Sequence, residues 1–258
     1  IDKMNYIKPT ITRSESIKII TEAIKNEKPF LFTRFGDGEV WLLLERLNPD
    51  RLLRIKKEWL VTDLNYKQVL KRVKNELIEC FNNSDMAGIM NENPLEYGVN
   101  FSYNPDYWSI AIDAANAMGM HNDNVAAHLL SRGIELGDPN NFKKILDGKP
   151  IHIISPNIDL LIENNLSKIL GCEITYTRIT RNPNNVIYDR MSLLKELDKI
   201  KESIVIFGCG AGGKWVGNYL KTKHGKVCLD FGATLDGWAG QMTRPWFTNT
   251  QKHLVIKK

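Results

Sequence analysis

The sequence predicts an α/β protein built on a mainly parallel sheet, and three features predict it. After Gly148, apolar runs of strand length alternate with amphipathic stretches of helix length, the rhythm of βαβ crossovers. One of those runs, Ile204–Phe207, opens directly into Gly208-Cys209-Gly210-Ala211-Gly212-Gly213-Lys214. An earlier run, Pro29–Thr33, breaks in a similar way into Arg34-Phe35-Gly36-Asp37-Gly38-Glu39. Together they describe a Rossmann-like domain over residues 1–258, with a largely helical insertion at about 50–146.

The elements follow in order. Ser14 or Ser16 is placed to cap a helix whose stripe is Ile17, Ile20, Ala23 and Ile24. Residues 29–33 form a buried strand, and a helical stretch runs from Val40 to Leu47. Residues 50–82, dense in Leu, Ile, Lys and Glu, give one or two amphipathic helices. Asp85–Met90 reads as a strand, Pro94–Pro105 as a loop, and 106–146 as two or three helices broken near Gly133, Gly137 and Pro139. Strands are then expected at Pro150–Ser155, Glu173–Thr177, Ile204–Phe207 and Val227–Phe231. Helices are expected between and after them, at Ile158–Leu170, Ile187–Lys201 and Gly213–Lys221.

Composition excludes several classes. With 258 residues, 43% hydrophobic and 25% charged, the chain is neither disordered nor fibrous, and it is long enough to fold without disulfides or a structural metal. No apolar run nears the ~18–20 residues needed to span a bilayer, and the first residues carry no signal-like stretch. Cys80, Cys172, Cys209 and Cys228 show no CxxC spacing, which suits reduced thiols. The expectation is a soluble cytoplasmic chain. The five histidines form no HxxxH or HExxH pattern, against a zinc site. A net charge of +5 comes from clusters such as Lys71-Arg72-Val73-Lys74 at helical spacing with acidic neighbours. Solvated helix faces are expected there, and no nucleic-acid partner.

The glycine turn has the GxGxxG spacing in Gly208, Gly210 and Gly213, between a strand and a helix. Glycines there allow a tight turn, a close approach of backbone N–H groups to phosphate, and close packing of helix on strand. Asp230 ends the next strand, where a carboxylate often meets a ribose hydroxyl. The alternative is a glycine-rich turn that holds no ligand. Nicotinamide dinucleotides and S-adenosylmethionine use this loop at the first strand of a sheet, whereas here it comes late. A different nucleotide is expected.

Asp37 and Glu39 stand two residues apart between glycines, a spacing that lets both carboxylates face one hard divalent ion such as Mg²⁺ or Mn²⁺. Gly36 and Gly38 leave room for a diphosphate, and Arg34 supplies a countercharge. The alternative reading makes Asp37 a helix cap and Glu39 a favourable charge in the first turn.

Arg34–Glu39 after a buried strand resembles the motif of the GT-D fold glycosyltransferases. A second resemblance lies in Phe207–Lys214, Asp230-Phe231-Gly232 and Asp236. The resemblance implies a Rossmann-like fold, a metal site at Asp37 and Glu39, and transfer of sugar from a nucleoside diphosphate sugar, notably a UDP-sugar, to a glycan or glycoconjugate. The family often has His after the Asp-x-Gly and a Glu beyond it; this chain has Ala233 and Asp236, so Asp236 becomes the candidate base. Arg34, Gly36, Gly38, Gly208, Gly210, Gly213, Lys214 and Asp230 are the expected donor-binding set. Trp238 and Trp246 are candidates to stack on sugar or to seal the sheet. Arg178 and Arg181 follow a strand and are candidates for the diphosphate; Asn91, Asn93 and Asn100 lie in a loop open to an acceptor. His152, in an apolar strand, is expected to be structural. A Rossmann methyltransferase and a non-catalytic nucleotide- or nucleic-acid-binding protein are the rival readings.

Overall fold

The apolar runs pair into one all-parallel sheet of seven strands in the order β3-β2-β1-β7-β6-β4-β5. These are β1 (Phe30–Arg34), β2 (Met86–Ile89), β3 (Val125–Ala127), β4 (Ile151–Ser155), β5 (Ile174–Arg178), β6 (Ile204–Phe207) and β7 (Val227–Asp230). The structure, a computed structural model, describes residues 10–43, 49–59, 65–89, 119–181, 184–241, 253 and 255–256. β1, β4, β6 and β7 are buried at every position, as expected of strands covered on both faces.

Alternation along the strands feeds two cores. Phe30, Phe32, Ile151, Ile153, Ile204, Ile206, Val227 and Leu229 point to one face. There they meet α1 (Arg13–Asn26), α6 (Pro139–Leu146), α7 (Ile158–Glu163), α8 (Leu166–Leu170) and α12 (Ala233–Trp238). Leu31, Ile154, Val205, Phe207 and Cys228 point to the other face. They pack on α2 (Asp37–Leu43), α4 (Tyr66–Asn83), α9 (Asn185–Tyr188), α10 (Arg190–Leu197) and α11 (Trp215–His224). The result is a three-layer sandwich with the sheet in the middle.

Region 50–146 supplies α3 (Pro49–Trp59), α4, α5 (Ile134–Gly137) and α6, and it also delivers β2 and β3 to one edge of the sheet. β3 falls where helices were expected. It is only three residues long, too short to leave a periodic signal, and it is fixed by pairing Ala87, Gly88 and Ile89 of β2 with Val125, Ala126 and Ala127.

Smaller departures have local causes. α1 is capped by Thr12 rather than by Ser14 or Ser16: the Thr12 hydroxyl accepts from the Glu15 N–H, and Glu15 accepts in return from the Thr12 N–H at 2.8 Å. Ser16 lies inside the helix and donates to the Thr12 carbonyl. The helix expected over 158–170 is split by Asn165 in the left-handed region (φ 53°), and that over 187–201 is divided near Asp189. No described helix is long and apolar enough to cross a membrane.

Candidate active site at the carboxyl edge of the sheet

The sheet's register brings three strand ends level. Phe207 of β6 lies opposite Asp230 of β7, and Phe32 of β1 lies opposite Leu229, so Arg34 ends β1 just beside them. The chain leaves β1 and β6 toward the face that holds α2 and α11, and leaves β7 toward the face that holds α12. The carboxyl end of β7 therefore lies in a crevice between diverging connections, the usual ligand position in an open parallel sheet.

Four charged side chains meet there, all buried: Arg34, Glu39, Lys214 and Asp230 are 6%, 8%, 5% and 1% exposed. Lys214 Nζ donates to Asp230 Oδ2 and stands 3.0 Å from Glu39 Oε1. Asp230 Oδ2 also accepts the Arg34 backbone N–H at 3.0 Å, and the Arg34 guanidinium donates to the Phe231 carbonyl at 3.0 Å. Glu39 Oε2 accepts the Gly36 N–H at 2.9 Å. Burial alone would raise the Glu39 pKa, but the Lys214 ammonium, backbone hydrogen bonding and Arg34 together hold it below the usual carboxylate range. Burial likewise opposes charge on Lys214, and the Asp230 and Glu39 carboxylates outweigh it, raising its pKa.

The glycines explain how the cluster closes. A β-carbon at Gly232 would lie 2.5 Å from the Arg34 guanidinium, so Asp-x-Gly admits the arginine across the strand end. At Gly213 a β-carbon would lie 2.3 Å from that of Cys209, so the turn can close on itself only with glycine there. Gly210 is different. It has φ 68° and ψ −175°, a conformation almost reserved for glycine, and a β-carbon there would meet no described residue within 4 Å. Among the described residues, the turn is therefore open in front of Gly210. Gly38 sits beside it, its β-carbon position 4.0 Å from that of Ala211, so the two glycine loops adjoin.

The structure thus brings Arg34, Gly36, Gly38, Glu39, Gly208, Gly210, Gly213, Lys214 and Asp230 to one place. Asp37 is the first residue of α2, and its side chain lies outside the described residues. Mn²⁺ or Mg²⁺ bound directly by Glu39 does not fit this arrangement: one oxygen is paired with an ammonium and the other accepts a backbone N–H. Among the described residues, no three of His, Cys, Asp and Glu gather as a ligand set.

Asp236 lies in the first turn of α12. Its Oδ1 accepts from Asn157 Nδ2 at 2.7 Å and from Arg181 at 3.1 Å. Asn157 was missed by sequence reasoning, although its place just past β4, in a sheet that binds at its carboxyl edge, marks it. Arg178 pairs with Asp159 at the surface instead of turning toward the cluster. Trp238 is fully buried, donates to the Gly137 carbonyl at 2.7 Å and packs on Phe142 and Phe231, so it is a core residue rather than a sugar platform. His152 is also structural, bridging Thr175 and Thr177. Trp246, Asn91, Asn93 and Asn100 lie outside the described residues.

Known structures share this architecture. The chain resembles a solved protein described as domain of unknown function 1792 with "a distinct glycosyltransferase fold", at 16% identity and a TM-score of 0.55, covering 86% of this chain and 82% of that one. A selenomethionine-substituted structure of domain of unknown function 1792 matches at 16% identity and a TM-score of 0.52, over 88% and 84% of the two chains. A comparison with curated protein sequences gives no match. The family model of GT-D fold-like domains matches residues 11–238, spanning the two glycine loops and the crevice between them, and the chain belongs to that family.

Proposed function

We propose that this protein is a glycosyltransferase that takes a sugar from a nucleoside diphosphate sugar, specifically a UDP-sugar, and passes it to a glycan or glycoconjugate hydroxyl. The observation that carries the reading is the glycine turn itself, where a β-carbon at Gly210 would meet no described residue within 4 Å and which runs into the buried Lys214 in the crevice at the end of β7. Backbone N–H groups of a glycine turn and a fixed cation beside it suit a diphosphate. The GT-D fold supports a glycosyltransferase.

In this reading Gly208–Gly213 receives the diphosphate, and Arg34 and Asp230 keep Lys214 in place beneath it. Asp236 takes the proton of the acceptor hydroxyl as its oxygen bonds to the anomeric carbon and the bond to the diphosphate breaks. Asn157 and Arg181 orient that carboxylate. Asp37 would hold Mn²⁺ or Mg²⁺ together with the diphosphate, and the ion would supply countercharge to the leaving group. The four cysteines are all free and buried, which suits a reducing compartment such as the cytoplasm.

A thermal-shift series tests the reading, because a ligand that binds only the folded chain raises its stability. UDP and UDP-sugars, with Mn²⁺, Mg²⁺ or chelator, should raise Tm, and S-adenosylmethionine should not. Stabilisation by S-adenosylmethionine alone would replace this function with methyl transfer.

A further inference from the structure

We infer that the resident cation of this crevice is the Lys214 ammonium, and that Glu39 is its anchor rather than a ligand to a divalent ion. The inference rests on the donor-site reading only for what the cation faces; the pairing stands without it.

Lys214 Nζ occupies the position between two carboxylates that a bound cation would take. It contacts Asp230 Oδ2 and lies 3.0 Å from Glu39 Oε1. The remaining Glu39 oxygen accepts the Gly36 N–H at 2.9 Å, which ties the carboxylate to the loop carrying Asp37. The charges also balance: Arg34 and Lys214 face Glu39 and Asp230, all less than a tenth exposed. A dication on Glu39 would leave this buried group strongly positive and would stand against an ammonium in a medium that screens poorly.

The consequences reach both loops. Glu39 lies in the first turn of α2, just past the first loop, and Lys214 follows the second, so their ion pair joins the two where Gly38 meets Ala211. Glu39 is therefore a positioning residue. It acts through Lys214, setting where the ammonium sits under the glycine turn and how the Arg34–Glu39 loop is held. Removing Lys214 would leave Glu39 and Asp230 as two buried carboxylates without their shared countercharge, an arrangement that invites a metal ion.

The test is a stability cycle on the unliganded chain together with Mn²⁺ binding followed by electron paramagnetic resonance. Variants are Glu39→Gln, Lys214→Met and the double variant, with Glu39→Asp and Lys214→Arg as conservative changes should a single variant not fold. Each single change should lower Tm, and the double change should cost clearly less than the sum of the two. Wild type and Glu39→Gln should bind Mn²⁺ equally, within about twofold. Lys214→Met, or the folded form of it rescued by Mn²⁺, should gain Mn²⁺ affinity and Tm in a way that wild type and the double variant do not. A Glu39→Gln chain with wild-type Tm and Mn²⁺ affinity weakened about tenfold or more would overturn the inference, as would strictly additive singles. Should UDP-sugars fail to bind, the proposed function falls, while this cycle, measured without donor, still decides the role of Glu39.

Discussion

Asn157 Nδ2 donates to Asp236 Oδ1 at 2.7 Å, joining the end of β4 to the first turn of α12. Arg181 reaches the same oxygen at 3.1 Å from beyond β5. Asp236 thus has one oxygen fixed from two sides, an arrangement that aims a carboxylate and does not merely cap a turn.

Asp236→Asn separates the two roles. Asparagine keeps the shape and the bond to Asn157 but cannot accept a proton. We expect donor binding to persist, Tm to fall by a few degrees as the Arg181 ion pair is lost, and sugar transfer to slow by about a hundredfold or more. Turnover close to wild type in a donor-saturated assay would remove Asp236 from the catalytic list and favour a retaining mechanism.

Gly213 and Gly210 of the turn should fail for different reasons. Gly213→Ala places a methyl 2.3 Å from the Cys209 β-carbon, inside the turn itself, so the turn must shift, and overpacking of this kind costs about 1–3 kcal/mol. At Gly210 a β-carbon would meet no described residue within 4 Å, yet Gly210→Val forces a branched residue to φ 68° and puts bulk before the turn. We expect it to weaken donor binding about tenfold or more, equivalent to ~1.4 kcal/mol, beyond its cost to folding. Isothermal titration of a folded Gly210→Val chain with unchanged affinity would leave the turn with a structural role alone.

Asp37 carries what is left of the metal expectation. If it meets an ion borne by the diphosphate, Asp37→Asn should abolish metal-dependent turnover while leaving the melting curve near wild type, since a carboxylate at the first residue of a helix such as α2 is worth only about 0.3–1 kcal/mol to it. Full turnover in excess chelator, or in Asp37→Asn, would show that the transfer proceeds without a divalent ion at this loop.

Trp238 illustrates where sequence reasoning ran out. Six of the seven strands were legible, the central ones because a parallel strand buried on both faces is largely an apolar run, as Ile204–Phe207 shows, and the edge strand β5 from its Ile-Thr-Tyr-Thr composition. β3 was not, since three residues carry no period. The residue types of the site were legible from the glycine spacing and the Arg34–Glu39 loop. Their pairing was not: Glu39 and Lys214 lie far apart in the chain, and only the strand order, with β7 between β1 and β6, sets them 3.0 Å apart. The role of Trp238 was equally hidden, because a tryptophan near a site serves either sugar or core until its neighbours are known. Packed on Phe142 and Phe231 with its N–H on the Gly137 carbonyl, it should cost about 3–5 kcal/mol as Trp238→Ala in urea unfolding, whereas a sugar platform would cost affinity and little stability.

His152 gives the pH dependence a sign. Burial in β4, against Thr175 and Thr177, lowers its pKa from 6.5 to about 4, and Glu202, 3.6 Å away, only partly offsets that. In the unfolded chain the ring takes its proton near pH 6.5, in the folded chain only near pH 4. Between those values the unfolded chain binds more protons, so stability is fully present above pH 6.5 and is lost as pH falls toward 4. The shift corresponds to something on the order of 3 kcal/mol. Buried carboxylates such as Glu39, whose pKa is held low, also lose stability in acid, so a single curve cannot isolate the histidine. A difference curve can. His152→Gln keeps hydrogen bonds to the threonines and removes the titration. Urea unfolding between pH 7.5 and 4.5 should show the wild type losing stability more steeply than His152→Gln, most of the divergence falling below pH 6.5. Parallel curves for the two chains would mean that His152 titrates alike in the folded and unfolded states, and that its burial between β5 and Glu202 does not govern its protonation.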